Sequence, residues 1–115
     1  MRTVLHAVIE NATVTESGTS LALRVDPFIL RAAEILPFER VEVINAGTRE
    51  HFQTWIEEGA EGSGEVHVHT GARKGDTIAI LAFAHLHEGQ TLAHRLKVVQ
   101  LDENNRVVSV IERSR

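Results

Sequence analysis

Short runs of alternating, β-branched residues, each closed by a turn-forming cluster, recur along this chain, and only one stretch carries helical spacing. A strand of that kind hides every second side chain, so its neighbours must curl around a common interior to cover the apolar face. Asn11 to Glu16 and Leu21 to Val25 read as a hairpin about the turn Ser17-Gly18-Thr19-Ser20. Further strands are expected at Arg40 to Asn45, Glu50 to Glu57, Glu65 to His69, Thr77 to Phe83, Leu96 to Leu101 and Val107 to Glu112, with an irregular stretch from Ala84 to His94. The exception is Asp26-Pro27-Phe28 through Leu36, where an N-capping Asp, a proline at the first helical position and three- and four-residue apolar spacing predict a short helix near 27–36, stopped by Pro37. The pattern predicts a mostly β fold, a small β-barrel with one short helix.

The whole chain, 1–115, reads as a single domain. A net charge of −4 without any run of like charges removes the electrostatic footprint of a nucleic-acid binder, and no stretch approaches the roughly 18 apolar residues of a membrane span. The absence of cysteine removes thiol nucleophiles and disulfides and fits a cytoplasmic protein. The expected partner is a small molecule, with no nucleic acid and no membrane.

Seven histidines are the chemical signal. Two pairs, His67-Val68-His69 and His85-Leu86-His87, have the period that puts both rings of a pair on one face of a strand. Imidazole is the usual proton carrier near neutral pH and the commonest metal ligand. An alternate pair also serves as a half-exposed polar face, and spacing alone does not choose between these uses. His6 and His94 read as surface or core residues, and the glycine-rich stretch Gly59 to Gly64 as a hairpin turn rather than a phosphate loop.

Several stretches resemble the pyruvoyl-dependent aspartate 1-decarboxylase family: Arg2-Thr3, Ala12-Thr13-Val14-Thr15-Glu16, the segment from Ala32 to Val43, Gly62-Ser63-Gly64, Lys74-Gly75-Asp76, and Lys97-Val98-Val99 through Val108. The resemblance implies a six-stranded double-psi β-barrel, a homotetramer with active sites between subunits, and conversion of aspartate to β-alanine. It also implies a cofactor made by cutting the chain at a Gly-Ser bond and converting the serine to a pyruvoyl group. Anchored on Asp26, that bond falls on Leu21-Ala22, so pyruvoyl chemistry is not expected: alanine has no hydroxyl to attack the preceding carbonyl and none to eliminate. Thr19 and Ser20 are the nearest alternative processing positions.

Other positions that the family uses also differ. Its substrate lysine falls on Val8 and the histidine two residues later on Glu10; its carboxylate-binding arginine falls on His51, Thr54 is kept, its tyrosine is Trp55, and its asparagine is His69, followed by Thr70, Gly71 and Ala72. Trp55 cannot replace a phenol as proton donor. His51, His69 and Glu10 are therefore the candidate catalytic set, and Thr54, Trp55, Thr70, Gly71 and Ala72 the candidate substrate contacts. His67, His69 and His51 form the alternative set for a metal ion. The expected function is that of a divergent lyase, isomerase or cyclase without a pyruvoyl group, using His/Glu acid–base chemistry on a small carboxylate, amine or heterocyclic metabolite. The alternatives are a non-catalytic barrel that binds a metabolite or partner, and a self-processed pyruvoyl-dependent aspartate decarboxylase.

Overall fold

A computed structural model describes residues 1–18, 20–87, 89 and 94–114. These form β1 (Arg2–Thr13), β2 (Glu16–Ser17), β3 (Leu23–Val25), α1 (Pro27–Ala33), β4 (Arg40–Asn45), β5 (His51–Glu58), β6 (Val66–Val68), β7 (Thr77–Leu86), β8 (Arg95–Leu101) and β9 (Val107–Ser114). The strands make one curled sheet in the order β2-β6-β3-β5-β4-β7-β1-β8-β9. The mostly β class with one short helix is as expected, but among the described residues there are nine strands rather than six.

The curl follows from the alternation. Ala7 and Ile9 of β1, Val41 and Val43 of β4, Val66 and Val68 of β6, and Ile78, Ile80 and Ala82 of β7 are all buried on the inner face. Strict alternation in β1 would next turn Asn11 inward. Instead the pairing with β7 shifts register between Ile9 and Ala12, and Asn11 takes a left-handed φ of 63°, so Ala12 enters the core. The bulge inserts one residue and restores the apolar phase.

The predicted hairpin does not form. β6 lies between its two arms, parallel to β2 and antiparallel to β3. Thr15 explains the preference: its backbone N–H donates to the Val66 carbonyl at 2.9 Å, and its hydroxyl accepts the Val66 N–H at 2.9 Å. The Gly18 N–H donates to the Val68 carbonyl at 2.9 Å, and burial of Val66 and Val68 favours this pairing.

The helix is shorter than predicted. Asp26 caps it by accepting the Phe28 N–H at 2.9 Å, but it ends at Ala33, where Glu34 takes a left-handed φ of 58°. Glu34 N–H and Ile35 N–H then close on the Arg31 and Leu30 carbonyls, and Pro37 lies beyond the stop. At the other end of the sheet β7 runs on past Phe83 to Leu86, because Arg2 to Leu5 pair with it in a strand that sequence did not predict. The predicted irregular stretch from Ala84 is thus partly strand; Glu88 and Gln90 to Ala93 lie outside the described residues, as does Thr19. No helix among the described residues is long and apolar enough to cross a membrane.

Candidate active site

A groove of about 100 Å³ opens at the rim of the sheet where β3, β5 and β6 meet. Leu23, Phe52 and Val68 make its apolar wall, and Gln53, Thr54, His69 and Thr70 supply its polar residues. The volume admits a few non-hydrogen atoms, against roughly 30 Å³ for one water in the liquid and at least about 300 Å³ for a drug-sized ligand.

The strand pleat assigns each side chain to a face. In β5, Phe52, Thr54 and Ile56 turn inward while His51, Gln53 and Trp55 are exposed on the outside. Thr54 thus reaches the groove from within the curl, and Trp55, opposite Arg40, stands on the other face of the same strand. In β6, Val66 and Val68 are buried and His67 lies outward; His69 follows the last strand residue and is exposed at the rim.

Gly71 and Ala72 support the groove from behind. A Cβ on Gly71 would sit 2.5 Å from Phe52 Cδ1, and its φ of +87° is one that L side chains rarely adopt. Only glycine lets the backbone pass over the Phe52 ring. Ala72 is buried in the core, while the Gly71 carbonyl accepts from Asn45 Nδ2 at 3.1 Å. The same Nδ2 donates to Asp76 Oδ2 at 3.1 Å, and Asp76 Oδ2 accepts the Arg73 N–H at 2.9 Å. That backbone bond, then the Asn45 bond, hold the Asp76 carboxyl below the usual carboxylate range. The turn carrying His69 is pinned at its far end by this network.

Of the candidate residues, one chain brings His69, Thr54 and Thr70 together. Glu10 lies on β1, opposite Gln100 of β8. Two strands, β4 and β7, separate it in the sheet from His51 on β5. His51 and Trp55 are not among the side chains around the groove. His67 directs Nε2 to Glu65 Oε2 at 3.3 Å, and Glu65 Oε1 accepts the Ala60 N–H at 2.8 Å; His67 Nδ1 is buried without a hydrogen-bond partner. The three histidines of the alternative metal set are thus not gathered: among the described residues no three His, Asp or Glu side chains group so as to hold a metal ion. His85 Nδ1 lies 3.1 Å from Thr3 Oγ1, His6 pairs with Glu39 at 2.9 Å, and His94 contacts the Leu5 carbonyl at 2.8 Å. Phe52, Leu23 and Val68 were not singled out from sequence, although the period-2 phase that includes Thr54 also includes Phe52.

The segment before β3 forms the lip of the groove. Leu21 is 71% exposed and lines it, Ala22 is buried, and the Ser20 hydroxyl accepts the Ala22 N–H at 3.3 Å. Fold and groove together define a small curled-sheet protein with a small groove of mixed polar and apolar lining at the sheet rim.

The model of the aspartate decarboxylase family matches residues 1–108. The aspartate 1-decarboxylase of Shouchella clausii is 34% identical over 96% of this chain and 91% of its own length, and that of Neisseria meningitidis is 37% identical over the same shares. The chain belongs to the aspartate decarboxylase family.

Proposed function

We propose that this protein is a divergent member of its family that transforms a small carboxylate, amine or heterocyclic metabolite by histidine acid–base chemistry, without a pyruvoyl group. The observation that carries this reading is the pairing of an exposed imidazole, His69, on the groove with a buried methyl group, Ala22, at the position matching the family's processed serine. A pyruvoyl group must be made from a hydroxyl-bearing residue, and Ala22 has none. The residues at Leu21-Ala22 do not fit that cofactor.

In this reading His69 gives or takes the proton, since imidazole serves as both acid and base in catalysis and the ring stands at the mouth. The Thr54 and Thr70 hydroxyls orient polar atoms of the substrate, and Leu23, Phe52 and Val68 exclude water behind it. His51, Glu10 and Trp55 complete the site from a neighbouring copy, in a homotetramer with sites between subunits; the small volume within one chain favours this. The double-psi form of the barrel belongs to the same proposal. It is supported by the way β1 runs on into β2 while β6 lies between β2 and β3.

Mass spectrometry of the purified protein tests the cofactor half: one full-length species is expected. Two fragments from a cut between Thr15 and Asp26 would overturn it and assign the activity printed in the relatives' names, aspartate decarboxylation. That second reading is favoured by the relatives and by the Ser20 hydroxyl in the same turn. A turnover screen on small amino and carboxylic acids tests the catalytic half. His69→Ala is expected to lose about 10²-fold or more in kcat/KM. Equal binding and no turnover for both proteins would identify a non-catalytic metabolite binder.

A further inference from the structure

A second pocket, of about 410 Å³, lies on the outer face of the sheet over β1, β4, β5 and β7, and shares only Gln53 with the groove. That volume is in the range of small-molecule sites, which the groove does not reach. Its charged wall follows from the pleat. Val41 and Val43 of β4 are buried in the core, so Arg40 and Glu42 both project outward, about 7 Å apart along the strand. Gln53 stands directly opposite Glu42, and Arg40 reaches across to donate from its guanidinium to the Gln53 side-chain oxygen. The guanidinium is thereby drawn toward Glu42, yet among the described residues the Glu42 carboxylate has no hydrogen-bond or ion-pair partner. Glu39, the other carboxylate on the pocket, is already committed: it pairs with His6 at 2.9 Å and accepts the Leu36 N–H at 3.3 Å. His85 and Thr3 satisfy each other, Nδ1 to Oγ1 at 3.1 Å, and Phe83, 37% exposed, is left as the apolar surface.

We infer that this pocket is a second ligand site and that it holds a free α-amino acid with an apolar side chain. A guanidinium and a carboxylate that flank one space without meeting are both left without a counter-ion. A ligand with opposite charges on one carbon supplies both. Its carboxylate accepts from the Arg40 donors that Gln53 leaves free, in the two-pronged geometry a guanidinium favours. Its ammonium donates to Glu42, and its side chain covers Phe83. A simple carboxylate would set its charge against Glu42, a simple amine would set its charge against Arg40, and a metal cation would meet the guanidinium. The site uses none of the groove's acid–base residues and does not depend on their chemistry.

Amide chemical-shift mapping of the full-length protein during titration with L-leucine tests the site. Saturable shifts are expected at Arg40, Glu42, Gln53 and Phe83. Isocaproate, which is leucine without the amine, and isopentylamine, which is leucine without the carboxylate, should each bind about tenfold or more weakly, since each forfeits one charge-assisted contact. Arg40→Met and Glu42→Gln should each weaken leucine by a similar factor, whereas His69→Ala leaves it unchanged. Phe83→Ala should narrow the preference for leucine over glycine. Arg40 is exposed and Glu42→Gln keeps the side-chain shape, so both variants read the contact without challenging the core. No saturable shift, shifts confined to Val68 and His69, equal affinity for the one-charge analogues, or variants that bind leucine as the native protein does would each overturn the proposal. Failure here leaves the single-species mass and the loss of turnover in His69→Ala untouched.

Discussion

Asp26 ties the start of α1 to the Gly62–Gly64 turn with one carboxylate that accepts three backbone N–H groups. It caps α1 through the Phe28 N–H and accepts the Gly62 and Gly64 N–H groups, each at 2.9 Å, while 3% exposed. Replacing it with alanine would leave buried donors unpaired, and Asp26→Ala is expected to cost about 3 kcal/mol in chemical denaturation. Gly71→Ala should cost about 2 kcal/mol or more and displace the Phe52 ring, seen as shifted ring resonances, since both the φ and the 2.5 Å approach oppose a Cβ. Asp76 links stability to pH. Its folded pKa lies below the ordinary value of about 3.9, chiefly through the Arg73 N–H and next through Asn45. Its contribution is therefore full above that value and is lost as pH falls through the lower folded one. The gap in urea midpoint between the native protein and Asp76→Asn should stay constant from pH 7 to about 4.5 and shrink below about 3.5. The capping role of Asp26 is legible in Asp-Pro-Phe, because capping is local. The buried Asn45 is not legible, because its partners at Gly71 and Asp76 are distant in sequence.

At the scale of elements, local signals place most strands and misplace their partners. Residues 40–45, 77–83, 96–101 and 107–112 all fall inside observed strands, and in β4 and β7 the alternation matches the buried face. The hairpin between 11–16 and 21–25 fails because both arms find a better partner in β6. The helix stop moves from Pro37 to Glu34, where a left-handed residue is stabilised by the carbonyls of α1 rather than by its own propensity. Glu34→Gly should therefore stabilise the protein by about 0.5 kcal/mol in thermal or chemical unfolding. Relief of the left-handed strain outweighs the exposed ion pair with Lys97, which is worth only a few tenths at the surface.

The whole molecule decides how far the candidate residues cooperate. If the site is shared between copies, His69→Ala and His51→Ala proteins, each inactive, should regain about a quarter of native activity when unfolded and refolded together, because random assembly places both native residues at one site in four. No recovery, with both variants folded, would place the whole site in one chain. The amino-acid sequence by itself determined a mostly β chain with one capped helix, its family, and an exposed histidine where the groove lies, since periodicity, capping and motif words are local properties. Only the tertiary structure decided that β6 separates β2 from β3, that Thr54 and Trp55 face opposite ways, and that Glu10 and His51 are not among the residues lining the groove with His69. Strand order and register are set by which apolar faces and hydrogen-bonding edges meet across long sequence separations, and no local pattern records that choice.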